Sequence, residues 1–446
     1  MDTPPARSEP AAPRHQLFHE LRKRLHHALD HLGRPGVLLL DGWRRFRWIV
    51  NLVRRRFAIL VRPSLHDLAR LGIDVDDLFW FEPSAIEFCS LQEFGLREYK
   101  GQVVDGDWDR SRKKFDDLDV CVAMDHVCVR GGKWEDTIFY RRFLDRVNAG
   151  EPLWGCRDED DVKRRLATVD ALFHSIRQNG FRTQKDLNGP GAPWRGDDEI
   201  AICVGREGDA LFSDGAHRLA AAKLLKLHQI PVKVSVRHPK WIAFRQELLM
   251  YAEELGGRLY QPALHFDLRG IPAFQDCDDR FNAIRGALPL DGGVLLDIGA
   301  NIGYFCHRFE EEGFRCFAAE NWLRELYFLR KLKQASKRQF AIIDESVLTS
   351  QQIRTMRFDV VLALNVFHHF LKTKERYDLF VDLLHHLNTD LMYFEPHQPD
   401  EPQMREAFKN FSNDDFVSFV QHNTGLGHSR KIADVFDGRS IFELRR

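Results

Sequence analysis

The sequence predicts an α/β protein: a doubly wound parallel sheet in its C-terminal part, an α+β region before it, and basic helices at the start. Three observations carry this. From Val294 onward, short apolar runs alternate with helical patterns. The run VLLDIGANIGYF (294–305) breaks at Asp297 into a glycine-rich turn, and Glu320 follows 23 residues later at the end of the next apolar run. Upstream, SDGAHRLAAAKLL from Ser213 is a second strand-turn-helix junction.

At 446 residues the chain exceeds one ordinary core. Its 44% hydrophobic and 29% charged residues are those of a folded chain rather than a disordered one. The formal charge of −1 gives no global basic field for nucleic acid, but one local patch exists. Between Arg14 and Arg62 twelve Lys/Arg face three acids (Glu20, Asp30, Asp41), so this segment carries +9 and the rest about −10. Eight cysteines form no CxxC pair and no zinc-ligand spacing, which fits a reduced interior and predicts no metal centre. The N-terminus lacks the pattern of a signal peptide, and no apolar run reaches the length of a membrane span. The expected location is the cytoplasm.

Taken in order, residues 1–13 read as a disordered tail and 14–78 as a basic helical region. Basic amphipathic helices lie on anionic membrane surfaces or bind acidic ligands, so peripheral contact at the inner membrane face through residues 14–62 is one expectation. A helical subdomain with solvated arginines is the other. Residues 79–251 read as α+β, with a strong helix in DVKRRLATVDALFHSIRQNG (161–180) and a hairpin of EIAICVG and ALFSDG joined by REGD. Asp105, Asp107 and Asp109 surround Trp108; such carboxylates hold Mg²⁺ beside phosphates, or form an acidic surface loop.

The junction Asp214-Gly215 ends a strand and opens an alanine-rich helix, leaving N–H groups, His217 and Arg218 at a helix N-terminus that favours an anion. The long helix ending in Gly180, the hairpin, DGAHRLAAAKLL and the strand beginning IPVKV together resemble the ParB/sulfiredoxin-like nucleotide-binding fold over about 90 residues. That resemblance implies phosphate contacts for Gly215, His217 and Arg218, with Asp214 supporting the turn or a metal, and ATP or CTP with Mg²⁺ as ligand. The sulfiredoxin cysteine is replaced by Ala216 and no helix-turn-helix follows, so neither sulfinic-acid repair nor chromosome segregation is implied. Free-serine kinases of this fold carry a similar turn, which leaves phosphoryl transfer open.

Residues 252–446 form the third region. Expected strands are Val294 to Asp297, Arg315 to Glu320, Phe340 to Ile343, Phe358 to Leu364 and Leu391 to Glu395, with helices between; Tyr260 and Pro262 are placed to cover a ligand. The small residues of DIGANIG fall at Gly299, Asn301 and Gly303, off the GxGxxG spacing of dinucleotide sites. The turn resembles motif I of class I S-adenosylmethionine-dependent methyltransferases, with a Rossmann-like sheet, and the tail KIADVFDGRSIFELRR is similar to that family's closing antiparallel hairpin. The resemblance implies donor contacts for Asp297, Gly299, Asn301, Gly303 and Asn365, ribose binding by Glu320, and adenine contact by Asp344. A helix cap is the other reading of Asp344.

LNVFHHF lacks the Asn-Pro-Pro-Tyr/Phe of nucleobase amino-methyltransferases, so nucleic acid is disfavoured as acceptor. His368, His369 and His397 follow the fourth and fifth strands and are candidate general bases for a hydroxyl acceptor. The sequence therefore points to O-methylation of a glycan or other small hydroxylated or phosphorylated acceptor. The alternative is a nucleic-acid-associated regulator that methylates DNA or RNA.

Overall fold

The computed structural model describes residues 68–69, 71–91, 99, 101–151, 153–188, 199–274, 277–435 and 438–446. The tail, the basic segment 14–62 and Asp437 of the closing turn lie outside the described residues. Everything described belongs to one compact unit, Pro63–Arg446, built on two sheets.

The first sheet has strands β1 (Leu78–Phe81), β2 (Phe88–Cys89), β3 (Gln102–Val103), β4 (Ile200–Val204), β5 (Ala210–Asp214) and β6 (Ile230–Arg237). They run in the order β1-β6-β4-β5-β2, with β3 also on β6. Between β3 and β4 lie helices α1 (Asp119–Met124), α2 (Ile138–Asn148), α3 (Glu159–Asn179) and α4 (Gln184–Asn188). α3 buries Val162, Leu166, Val169, Phe173 and Ile176 on one stripe; Asp158 accepts from the Asp161 N–H at its start, and Gly180 at φ 73° stops it. The hairpin β4–β5 is antiparallel, and β5 runs through Gly215 into α5 (Ala216–Leu224), as the sequence predicts. β6 leads to α6 (Pro239–Glu254).

Asp105, Asp107 and Asp109 are neither a metal cradle nor a plain surface loop. Arg206, from the β4–β5 turn, donates from Nε to Asp109 Oδ2 at 2.7 Å and from Nη2 to Asp107 Oδ1 at 2.8 Å. Burial works against the charge of Asp109, but these hydrogen bonds win and hold its carboxyl below the usual range. The counter-charge a cation would supply is already a guanidinium. Among the described residues, no group of three His, Cys, Asp or Glu side chains is arranged for a metal.

The second sheet is seven-stranded. In chain order its region holds α7 (Cys277–Ala287), β7 (Gly293–Ile298), α8 (Tyr304–Glu311), β8 (Phe314–Ala319), α9 (Leu323–Ala335), β9 (Ala341–Ile343), α10 (Gln351–Thr355), β10 (Arg357–Phe358) and β11 (Val360–Leu364). Then come α11 (Lys374–His386), β12 (Asn388–Thr389), β13 (Leu391–Glu395), α12 (Asn413–Thr424), β14 (His428–Asp434) and β15 (Ser440–Arg445). The order is β14-β15-β13-β11-β7-β8-β9, with β9, β8, β7, β11 and β13 parallel and β15 antiparallel to both β13 and β14. This is a mixed, doubly wound Rossmann-like sheet, closed by the expected antiparallel hairpin.

The predicted strand 358–364 is split in two. The Asp359 N–H donates to the Val294 carbonyl at 2.8 Å, and its Oδ2 accepts from the Val294 N–H at 2.7 Å, so Phe358 leaves to pair with Thr389 in a separate two-stranded ladder. The sheets also share a core: Trp241, Phe244, Leu248 and Tyr251 of α6 belong to the same buried cluster as Phe328, Leu332 and Ala335 of α9. Among the described residues, no helix is long and apolar enough to cross a membrane.

Candidate functional site

In an open α/β sheet the ligand crevice lies outside the carboxyl ends of the strands, where the winding direction reverses. Here that point is between β7 and β11. After β7 the backbone N–H groups of Gly299 and Ala300 both donate to the Ala319 carbonyl, at 2.9 and 3.1 Å, drawing the turn across the end of β8. Gly299 has φ +75°, and a Cβ there would sit 2.6 Å from Val366 Cγ2 of the turn after β11. Two non-glycine residues take the same left-handed conformation on either side of the crevice: Asn301 at φ 53° and Asn365 at φ 52°. Asparagine tolerates that region, at a cost that structures concentrate where function needs it.

Between these turns is a small cavity of about 20 Å³, lined among others by Tyr260, Gln261, Arg280, Asp297, Gly299 and Asn365. Glu395 is one buried carboxyl of the wall and Asp297, 2% exposed, is another. Burial, reinforced by the charge of Glu320, pushes it up to about 7. Glu320 is also pushed to about 7 by burial, against the pull of the N–H groups it accepts from. Its Oε1 accepts from the backbone N–H of Asn321 (2.8 Å) and Trp322 (2.9 Å), and its Oε2 from that of Asn301 (3.0 Å). A carboxylate has about four lone-pair sites, so this leaves roughly one for a ligand hydroxyl, on Oε2.

Two buried acceptor atoms, Asn301 Oδ1 and Asn365 Oδ1, have no hydrogen-bond partner in the protein. The unsatisfied Asn365 Oδ1 on the cavity wall, and a glycine whose Cβ would obstruct the turn, fit a polar ligand held close to the backbone.

The linker supplies Tyr260, which the sequence places over a ligand, and residues that sequence patterning does not mark. Tyr260 Oη accepts from Asn365 Nδ2 at 3.0 Å, and Gln261 Oε1 accepts from the Tyr304 N–H at 3.2 Å, at the start of α8. Arg280, from α7, donates from Nε and Nη2 to Glu395 Oε2 and Oε1 at 2.8 and 3.0 Å. The linker also ties back to the first sheet: Asp267 accepts from Arg237 Nε at 2.9 Å and from Trp241 Nε1 at 2.8 Å.

The predicted histidines stand together. His368 and His369 lie in the short helix Phe367–Phe370 after β11, with ring centroids 4.0 Å apart, and His368 is 6.0 Å from His397, which follows β13. Burial pushes His368 down to about 2, aided by the neighbouring His369 and Lys372, and lowers His397 as well. Both keep a neutral ring, and in both Nδ1 is buried without a partner. His369 is exposed. Asp344, after β9, is exposed and pairs with Arg330, while Ser350 caps the helix that follows.

Asp214, Gly215, His217 and Arg218 sit apart from this crevice in the topology, at the end of β5 in the first sheet. Asp214 Oδ1 accepts from the Gly215 N–H at 2.8 Å, and Gly215, at φ +90°, caps α5. His217 lies edge-on to Phe139 and Trp154, with Nε2 unpartnered and its pKa pushed down to about 4 by burial. Arg218 Nη1 is 3.8 Å from Glu199 Oε2.

No family model and no curated protein matches the chain. Part of it is similar to solved structures. The bifunctional kinase-methyltransferase WbdD aligns at 19% identity and a TM-score of 0.36, over 44% of this chain and 46% of that one, so the match spans about half of WbdD. The N-terminal domain of EvdMO1 with SAH bound aligns at 18% identity and TM-score 0.34, over 45% and 96% of the two chains. Magnesium protoporphyrin IX methyltransferase (ChlM) from Synechocystis PCC 6803 with bound SAM aligns at 14% identity and TM-score 0.30, over 38% and 77%.

Proposed function

We propose that this chain is an S-adenosylmethionine-dependent methyltransferase that O-methylates a glycan or another small hydroxylated or phosphorylated acceptor. The observation that carries the reading is the crevice at the β7/β11 reversal. There Asp297, Gly299 and Asn365, whose Oδ1 is unpartnered, line one cavity, and Glu320 accepts from the Asn301 N–H of the same turn. A cationic sulfonium donor with an amino-acid tail and a ribose calls for a buried carboxyl, close backbone approach and a hydroxyl acceptor. Asp297, Gly299 and Glu320 offer these in turn.

The donor supplies an activated methyl group when bound. The chain's part is to hold donor and acceptor in line, which accounts for much of the catalysis of such displacements. Of the three histidines, His369 is the most exposed, although burial of its ring lowers it to about 4, and His368 lies against both it and His397, so proton acceptance from the hydroxyl is assigned to this cluster.

The turn at Asp214 to Arg218 we assign to a nucleotide phosphate, ATP or CTP with Mg²⁺, bound for transfer or hydrolysis; the unpartnered His217 Nε2 beside the start of α5 supports this. Calorimetric titration with S-adenosylmethionine tests the central reading, with tight binding expected for the wild type and loss in Asp297→Ala. Equal affinity in the two would refute it. Nucleotide titration of Arg218→Ala tests the second site in the same way.

A further inference from the structure

The three histidines after β11 and β13 differ in how their rings are held. Among the described residues, His397 is the one of the three whose ring takes part in a hydrogen bond: Nε2 lies 2.9 Å from Asn410 Oδ1. The other end of the Asn410 amide decides what that contact is. Asn410 Nδ2 donates to the Pro399 carbonyl at 2.8 Å, and a carbonyl only accepts, so the amide is held one way round with Oδ1 toward the ring. An amide oxygen only accepts as well. His397 Nε2 therefore carries the proton of the neutral ring, and its lone pair is on Nδ1, which is buried without a partner.

The segment that carries Asn410 is itself fixed. The Lys409 N–H donates to the Leu371 carbonyl at 3.1 Å and the Phe408 N–H to the Lys372 carbonyl at 3.3 Å, which ties this segment to the chain just after the short helix of His368 and His369. On its other side Phe411 stacks on Phe416 of α12 at 5.3 Å, and Phe416 stands edge-on to the His397 ring at 5.4 Å. With His368 6.0 Å away, the ring of His397 is packed between an aromatic edge and a second histidine. Turning it over would break the bond to Asn410.

We infer that Asn410 is a positioning residue of the proposed methyl transfer: it sets the tautomer of His397 and so makes Nδ1 the atom that takes the proton of the acceptor hydroxyl. This rests on the O-methylation reading above. The hydroxyl oxygen gains the methyl group that the sulfonium releases, and its proton passes to Nδ1. The imidazolium so formed keeps its other N–H on Asn410 Oδ1, so the charge arises on a ring already hydrogen-bonded.

The test uses the full chain with ¹⁵N-labelled histidine, the His397 signals being assigned by their loss in His397→Gln. Wild type is expected to show a protonated Nε2 and a bare Nδ1. Residue 410 is exposed, so it can be exchanged for a side chain that only accepts or one that only donates. Asn410→Asp is expected to keep the wild-type tautomer, and Asn410→Lys to move the proton toward Nδ1. Turnover is read as S-adenosylhomocysteine released from S-adenosylmethionine, with methyl hexopyranosides and their phosphates as probes. Its kcat should be about 100-fold lower in Asn410→Lys than in Asn410→Asp, at similar KM, the scale of a lost general base. A proton on Nδ1 in wild type, the same tautomer in both variants, or different tautomers with equal kcat each overturns the role of Asn410 and leaves the methyl-donor reading standing. If wild type methylates none of the probes, the O-methylation reading falls and the role of Nδ1 falls with it. The wild-type spectrum needs neither donor nor acceptor, and it decides the tautomer even where a variant fails to fold.

Discussion

Replacing Asp297 by Asn isolates a conflict between stability and binding. The carboxyl stands at about 7 in the folded protein against an ordinary 3.8. A raised folded value means that the folded state holds its proton more tightly than the unfolded state. Below pH 3.8 both states are protonated and there is no penalty; the penalty builds between 3.8 and 7 and is constant above. Its full size is about 4 kcal/mol from the difference between those two values, an upper figure because local relaxation and coupling to Glu320 reduce it. Asn carries no such penalty. Thermal unfolding of Asp297→Asn should therefore start well above wild type at pH 8, with the gap closing toward pH 4. Donor affinity should move the other way: a cationic donor favours the ionised carboxylate, so wild-type affinity rises with pH up to about 7 and Asp297→Asn binds weakly throughout. A variant no more stable than wild type at pH 8, or one that binds the donor as well, would refute the reasoning.

Two further outcomes follow from close contacts. Gly303→Ala places a Cβ 2.4 Å from Leu329 Cδ1 at φ +91°, and should lower stability by about 1–3 kcal/mol, read by denaturant unfolding. Arg206→Met leaves Asp109 buried and unpaired, and should cost about 3–5 kcal/mol, with most of the loss recovered by adding Asp109→Asn.

What was legible in the sequence was whatever depends on neighbours along the chain. The stripe of α3, the hairpin β4–β5, the turn at Gly299 and the alternation after Val294 each follow from period, turn chemistry or caps within a few residues. The parts that escaped are charge pairings over long separations. Arg206 meets Asp109 across 97 positions and Arg280 meets Glu395 across 115, and no local pattern announces either. Three aspartates around Trp108 therefore looked like a metal loop or a surface loop, because the guanidinium that neutralises two of them lies on another strand's turn. The split of 358–364 has the same origin: Asp359 reads as one polar residue in an apolar run, and only the fold shows that its side chain is tied to Val294. Gln261 at the start of α8 was also invisible, since a side-chain amide reaching a helix from 43 positions away has no sequence signature.

The shared cluster of α6 and α9 bears on how the molecule is to be handled. Cutting the chain near residue 252 would strip α6 from Phe328, Leu332 and Ala335 and turn an interior into an oily surface. The linker would suffer too, since Asp267 would lose both Arg237 and Trp241 while Tyr260 and Gln261 still had to shape the crevice. The C-terminal half is thus not an excisable cassette. A ligand that tightens its crevice should raise the melting of the first sheet along with that of the second, so that occupancy of one half draws on an order common to both.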